Sequence, residues 1–324
     1  MKGLWADLPK PFFVLAPLAN VTDAAFRKLI AKHGKPDILW TEFVSADGLV
    51  LATEEGKQKL MRDLVFSEAE RPILAQLFTS RPEMMEKAAA LAQELGFDGI
   101  DINMGCPDKS IEKQGAGAKL ITTPELALEI IEAAKRGAPK LPVSVKTRVG
   151  YNKDVLEEWL PKILSANPVA VTIHARTRKE MSAVPARWER VKRAIEIRNE
   201  LGSSALIVGN GDAKNLEDAR QKIAESGADG VMLGRAIFGN PWLFAEHIPT
   251  IPERLRVAVE HAKLFEAMLG DIKNFALMKK HFKAYCEGFS GAKELRMKLM
   301  ETNNAQEIET IIEDFLREEY TEDK

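Results

Sequence analysis

The sequence predicts an α/β chain, a TIM (β/α)8 barrel followed by a small C-terminal helical domain. Three observations lead there. Eight short Val/Ile/Leu-rich runs alternate with eight helical patterns over about 240 residues. Those runs are apolar on both faces, as a parallel sheet covered on both sides requires. Beyond residue 251 strand-like runs cease and only helical patterns remain. Count, alternation and length together match the barrel. A doubly wound open sheet is the competing fold. It would want a Gly-x-Gly-x-x-Gly turn after the first strand, and Ala16-Pro-Leu-Ala-Asn20 is not one.

The first strand, 12–17, ends at Pro17, and Thr22 or Asp23 caps the helix that opens at Ala24. A second strand covers 38–43 and leads into a helical segment through Leu51. A third covers 72–77, and the helix over 82–95 starts with proline in its first turn. The fourth strand, 98–103, precedes a helix over 124–136; the fifth, 142–147, one over 154–165. The sixth, 169–174, precedes a helix over 188–200, and the seventh, 205–209, one over 216–226. The eighth, 229–234, runs into Arg235. The link Ile248-Pro-Thr-Ile-Pro252 then divides a barrel domain, 1–247, from a helical domain, 251–324, with long helices expected over 254–268 and 274–288.

The chain is 45% hydrophobic and 29% charged, as an ordinary soluble globular protein is. A net charge of -2 does not announce a nucleic-acid binder, but it conceals a division. Ten Lys/Arg face five Asp/Glu between Arg254 and Lys298, whereas from Glu301 to Lys324 nine acidic residues face only Arg317 and Lys324. Two cysteines exclude a disulfide scaffold and fit a reducing compartment. Cys106 and Cys286 lack metal-ligand spacing, so no metal is expected. The N-terminus has no signal-like apolar run and no stretch is long enough to cross a bilayer, so a cytoplasmic, monomeric protein is expected.

The strand ends carry the chemistry. They are Pro17, Glu42, Gln76, Asn103 with Cys106, Lys146 with Arg148, His174 with Arg176, Asn210-Gly-Asp212, and Gly234-Arg235. A polar group at nearly every end is what a site-lined barrel mouth looks like. Gly209, Gly211 and Gly234 offer open backbone and Arg235 a cation after the last two strands, where such barrels often bind phosphate, so a phosphorylated ligand such as FMN would suit. Lys146 would be costly in a core unless paired or facing a ligand. His174 reads equally as a satisfied core residue, Arg176 and Arg178 as a solvated loop, and Met181 as packing. Cys106 sits in Gly-Cys-Pro, which is turn chemistry at the end of a strand; a buried core thiol is the bland alternative.

Asn103-Met-Gly-Cys-Pro107, with Ala16-Pro-Leu-Ala-Asn-Val-Thr-Asp-Ala-Ala-Phe-Arg27, resembles the tRNA-dihydrouridine synthases. The resemblance continues through Gln76-Leu-Phe78, Lys146-Thr-Arg148, Ile173-His-Ala-Arg-Thr177, Gly209-Asn-Gly-Asp212 and Met232-Leu-Gly-Arg-Ala-Ile-Phe-Gly-Asn-Pro-Trp-Leu-Phe244. Met278-Lys-Lys-His-Phe-Lys-Ala-Tyr285 and Gly291-Ala-Lys-Glu-Leu-Arg296 are similar to the family's helical RNA-binding domain.

The resemblance implies FMN as cofactor, NADPH as reductant and tRNA uridines as substrate, with Cys106 the acid that protonates C5. It implies that Pro17, Leu18, Gln76, Asn103, Lys146, His174, Asn210, Gly211, Asp212, Gly234 and Arg235 hold the flavin. Asn103 and Arg176 would serve the substrate, Lys279, Lys280, Lys283 and Arg296 would meet tRNA phosphates, and Tyr285 would stack or pack. Two positions depart from the family pattern, Asp108 after Cys-Pro and Lys119 in Gly117-Ala-Lys-Leu120. A dihydroorotate dehydrogenase-like flavin reductase of a small molecule and a non-catalytic RNA-binding protein are the competing readings.

Overall fold

The computed structural model describes residues 4–320. Its strands are β1 (Phe12–Leu15), β2 (Leu39–Trp40), β3 (Val44–Ser45), β4 (Ile73–Phe78), β5 (Gly99–Met104), β6 (Val143–Gly150), β7 (Ala170–Thr177), β8 (Leu206–Asn210) and β9 (Gly230–Leu233). All pair in parallel, in the order β1-β9-β8-β7-β6-β5-β4-β2. A bridge between Val14 and Ile38 brings the two ends of that sheet together. Both β2 and β3 pair with β4 and share the second barrel position, so the expected eight-membered barrel is the one observed.

The second strand is broken where an unbroken run over 38–43 was expected. The Thr41 amide donates to the Leu74 carbonyl at 3.0 Å, but the Gln76 amide donates to Thr41 Oγ1, also at 3.0 Å. A side-chain hydroxyl thus takes a donor that the main-chain ladder would otherwise use, and pairing lapses before β3. The opposite happens at β6 and β7, which run past their expected ends to Gly150 and Thr177. Arg148 and Arg176 are strand residues as a result, alongside Lys146 and His174, with Asn103 opposite Lys146 and Arg148 opposite His174.

Side chains that enter the barrel differ from bottom to mouth. Phe12, Val14, Trp40, Leu74, Leu206, Val208 and Met232 form a dry floor, closed by Trp5, whose ring meets Phe12 and Trp40 edge-on at 6.1 and 6.3 Å. Above it, Gln76, Asp101 and Ser144 stand opposite one another on β4, β5 and β6. Alternate β5 residues Ile100, Ile102 and Met104 face outward into the apolar layer shared with the surrounding helices.

Asp23, not Thr22, caps the first helix (Ala24–His33), its carboxylate accepting the Phe26 amide at 3.0 Å. Thr22 Oγ1 instead accepts the Leu18 amide at 2.9 Å and folds the loop after β1. The helix Glu54–Asp63 escapes a sequence reading because it buries no residue and so shows no apolar stripe. After β9 the chain is helical. Helix Ile251–Leu269 opens with a Thr250/Glu253 capping box and packs on Ala24–His33. The helix expected over 274–288 is shorter: a 3-10 turn, Phe275–Met278, then Lys279–Tyr285. Asn274 Oδ1 accepts the Ala276 amide at 2.8 Å and so sets that tight turn. Helices Ala292–Glu301 and Ala305–Glu319 complete the fold. Among the described residues no helix is long and apolar enough to cross a membrane.

Candidate active site

A cavity of about 510 Å³ opens at the carboxyl ends of the strands, a size suited to a cofactor-sized ligand. Every barrel residue that the resemblance assigns to cofactor, substrate or catalysis lines it, namely Pro17, Leu18, Gln76, Asn103, Cys106, Lys146, His174, Arg176, Asn210, Gly211, Asp212, Gly234 and Arg235, whereas Glu42 does not. Strand alternation gathers Gln76, Asn103, Lys146, His174 and Arg176 at inward positions of β4 to β7, and the remaining residues lie at or just beyond strand ends.

One side of the cavity carries the thiol. Asn103, near the end of β5, turns its Oδ1 back to accept the amides of Gly105 at 3.1 Å and Cys106 at 2.9 Å. The chain is therefore folded over its own strand end, and Arg148 Nε grips the Gly105 carbonyl at 2.7 Å from the neighbouring strand. Gly117 must stay glycine here, because its φ is +62° and a Cβ would lie 2.8 Å from the Cys106 carbonyl. Burial pushes the Cys106 thiol above its ordinary value, and Asp108 next to it adds repulsion. Cys106 is thus a half-buried, protonated thiol at neutral pH and not the dry core residue of the bland reading.

Next to it, on β6 and β7, lie the basic groups. Among the described residues Lys146 has one hydrogen-bond partner, Asn210 Oδ1 at 3.3 Å, and burial lowers its pKa to about 8, with Arg148 adding repulsion. An ammonium has three N–H donors, so two remain unspent. His174 is held neutral, chiefly by burial and then by Arg148, Lys146 and Arg176. Arg176 Nη1 lies 3.1 Å from His174 Nε2, and because guanidinium only donates, Nε2 must accept and Nδ1 must carry the proton. Arg176 itself is no loop residue: it is buried, tied to the Val184 carbonyl at 2.6 Å and to Asp212.

The third side has open backbone. A Cβ built on Gly234 would meet nothing nearer than Ala16 Cβ at 3.7 Å, so that position faces free space within the cavity. Gly211 has a φ of +130° and could not take a side chain without meeting Ala186. Arg235 extends over this end with Asp212 as its partner at 2.8 Å. The Asp212 carboxylate is fully engaged by Arg176, Arg235 and the Ala186 amide, so it aims two cations and offers no free charge of its own. Gly209, by contrast, lies under the ring of Trp188 and serves packing.

An unspent buried ammonium, open backbone at Gly211 and Gly234 and a nearby guanidinium would suit a flavin mononucleotide, whose phosphate Gly211, Gly234 and Arg235 could hold. Among the described residues no group of three or more His, Cys, Asp or Glu could hold a metal ion.

Some lining residues carry no sequence signal. Phe43 follows the broken second strand. Met181, read as packing, is 47% exposed, has a φ of +54° and lines the mouth. Glu42 is spent on structure: it accepts the Asn20 amide and Lys273, which also reaches Asp63 at 2.7 Å. Lys279, Lys280, Lys283 and Arg296 belong to the helical region and not to the cavity; Lys283 is exposed, the other three half-buried. Lys280 faces Glu42 and Asp23 beside the loop after β1. Tyr285 is fully buried, its hydroxyl 3.3 Å from His261 Nδ1, so it packs and cannot stack on RNA.

Comparison with known proteins places this geometry among relatives. The family model described as dihydrouridine synthase matches residues 14–321. A probable tRNA-dihydrouridine synthase of Staphylococcus aureus (strain MRSA252) is 38% identical over 320 residues, covering 97% of this chain and 96% of its own. Probable tRNA-dihydrouridine synthase 2 of Bacillus subtilis (strain 168) is 39% identical over 322 residues, covering 98% and 97%. Among solved structures, 2-naphthoyl-CoA reductase with 2-naphthoyl-CoA aligns with a TM-score of 0.55 at 12% identity, over 72% of this chain and 49% of that one. Histamine dehydrogenase from Rhizobium sp. 4-9 aligns with a TM-score of 0.55 at 14% identity, over 78% and 48%. These two likenesses concern the fold alone.

Proposed function

The chain belongs to the dihydrouridine synthase family, and from that premise we propose that it reduces the C5=C6 bond of selected tRNA uridines, using FMN and NADPH. The observation that carries the reading is a protonated Cys106 thiol fixed on the rim of a cavity, with Lys146 and His174 on the next two strands. When bound, the flavin supplies the hydride that uracil C6 accepts, with NADPH as the reductant that replenishes it.

Hydride arrival at C6 turns the C4 carbonyl into an enolate, and C5 must then take a proton. Cys106 donates it: a thiol pushed above its ordinary value keeps its proton at neutral pH and gives it up only to a strongly basic carbon. Lys146, with two unspent N–H donors, offsets negative charge in the mouth, and neutral His174 supplies a hydrogen-bond donor from Nδ1. Asn103 holds the Cys106 amide, so the thiol is aimed before substrate arrives.

A base inside folded tRNA cannot reach this depth, so the uridine must be extruded into the mouth. In this reading residues 1–247 form the catalytic unit and 251–324 the tRNA-binding unit, with Lys279, Lys280, Lys283 and Arg296 as phosphate contacts and Arg176 as a substrate-side cation.

The test is incubation with unmodified tRNA and NADPH, with dihydrouridine mapped by mass spectrometry and Cys106→Ala run in parallel. Dihydrouridine at a defined position, lost or slowed in the variant, is the expected result. Reduction of bound flavin without any modified tRNA would favour a small-molecule reductase, and the absence of flavin would favour a non-catalytic RNA-binding protein.

A further inference from the structure

We propose that Asp101 is a positioning residue for Cys106, acting through Gln76 and Asn103 to fix the loop that bears the thiol. The inference rests on Cys106 as the proton donor and adds what aims it.

Asp101 is 0% exposed, in the middle of β5 and one inward position below Asn103. A carboxylate there is expensive, and a small apolar residue would fill the position at less cost. Both of its direct partners are neutral. Ser144 Oγ donates to Oδ1 and Gln76 Nε2 donates to Oδ2, each at 2.6 Å, from the two strands on either side. Lys146 adds its field from the next layer up.

These bonds have a direction. An ionised carboxylate only accepts, so Gln76 must present Nε2 to it and turn Oε1 away. Oε1 then accepts Asn103 Nδ2 at 3.0 Å. Asn103, having spent its nitrogen there, must present Oδ1 to the strand end, where it accepts the Gly105 and Cys106 amides. Each amide orientation follows from the one before, and the first is set by Asp101. Were Gln76 to flip, Asn103 would be offered two hydrogens, would flip in turn, and would turn an NH2 group against two N–H donors. The carboxylate therefore acts as an orienting anchor two links away from the thiol. Gln76 and Asn103 also each keep one N–H unspent, and both line the cavity. Asp101 thus makes this wall of the cavity a donor surface, matched to the carbonyl oxygens of an imide edge.

The experiment compares Asp101→Asn with Ser144→Ala and Gln76→Leu, reading alkylation of Cys106 by iodoacetamide across pH, by peptide mass spectrometry, alongside kcat and KM for tRNA. Asparagine keeps the shape but can offer nitrogen where only oxygen is tolerated. Asp101→Asn is expected to change the Cys106 alkylation rate at least five-fold and to shift its pH profile. It should lower kcat at least ten-fold with KM for tRNA within two-fold. Ser144→Ala leaves the relay intact and should leave the alkylation rate within two-fold. If Asp101→Asn does not fold, Gln76→Leu cuts the same relay one link nearer and should reproduce the alkylation change. An unaltered Cys106 pH profile in whichever of these two variants folds overturns the proposal. Alkylation needs no flavin and no tRNA. A Cys106→Ala enzyme that keeps full activity would therefore refute the acid assignment while this assay still decides whether Asp101 holds the loop.

Discussion

The barrel mouth and the contact between helix Ala24–His33 and the C-terminal helices both bury ionisable groups, yet they do different things with them. At the mouth burial raises Cys106, raises Asp101 to about 6 and lowers Lys146 to about 8. At the helical contact it lowers His261 and lowers His281 to about 3, and among the C-terminal helices it raises Cys286 to about 12. The shifts alone do not distinguish the regions. Space and unspent hydrogen-bonding capacity do. The mouth groups converge on a cavity, with donors to spare on Lys146, Gln76 and Asn103. The histidines are sealed among rings: Phe26 stacks on His261 at 4.5 Å with an interplanar angle of 12°, and His281 meets His261 edge-on at 4.5 Å. A perturbed group marks a site for chemistry only where a reactant can reach it.

The two cysteines put that contrast to its hardest test. Cys106→Ala should lower the rate of dihydrouridine formation by roughly 10²–10⁴-fold, the usual reach of a positioned acid. Cys286→Ala should leave the rate within about two-fold and lower the melting temperature instead, since it deletes a buried packing group. Equal effects on rate would erase the distinction between the regions.

Lys273 joins the two regions. It is 13% exposed and bridges Glu42, whose other oxygen holds the Asn20 amide in the loop after β1, to Asp63. Lys273→Met leaves Glu42 buried without its cation and should cost about 3 kcal/mol, read by urea unfolding. A loss below about 1 kcal/mol would mean that the helical region does not brace the mouth.

The histidine contact should contribute to acid sensitivity, as His174 does at the mouth. His261 and His281 have folded pKa values below the unfolded value of about 6.5, so the unfolded chain binds the extra protons. Their contribution to stability is complete above about pH 6.5. It falls as pH drops towards about 3, by up to about 1.4 kcal/mol per pH unit for each. Denaturation at pH 7 and pH 5 should show this slope, and His281→Leu should remove its share. A variant with the same slope as the parent would show that the contact opens to water.

The smallest effect is expected at the surface. Lys283→Ala removes one exposed cation, so tRNA affinity should fall a few-fold and the salt dependence of binding should lose about one unit of slope. An unchanged slope would take Lys283 out of the tRNA contact.

Local patterns went a long way in this chain. Alternation of two-sided apolar runs with helical stretches is a short-range property, and it revealed the barrel and the end of the chain that turns helical. Polar residues at strand ends break that pattern, which is why Cys106, Lys146, His174 and Asn210 were visible one by one. Met181 was not, because a lone methionine in a polar loop has no periodicity to violate. Asp101 was read as one letter of an apolar strand, since nothing in its neighbours announces that Gln76 and Ser144 will stand beside it.

By itself, then, the sequence determined which segments extend, which coil and where glycine or proline ends them, because those choices are settled within a few residues by backbone sterics and side-chain period. Only the tertiary structure decided the closure through Val14 and Ile38, the lapse at Thr41, the burial of Arg176, the Glu42–Lys273 tie and the relay from Asp101. Each of those depends on residues from different strands or helices, separated by 24 positions in the first case and by 231 in the tie. Pairings at such distances are selected by the free energy of the whole packed chain, and no local window contains them.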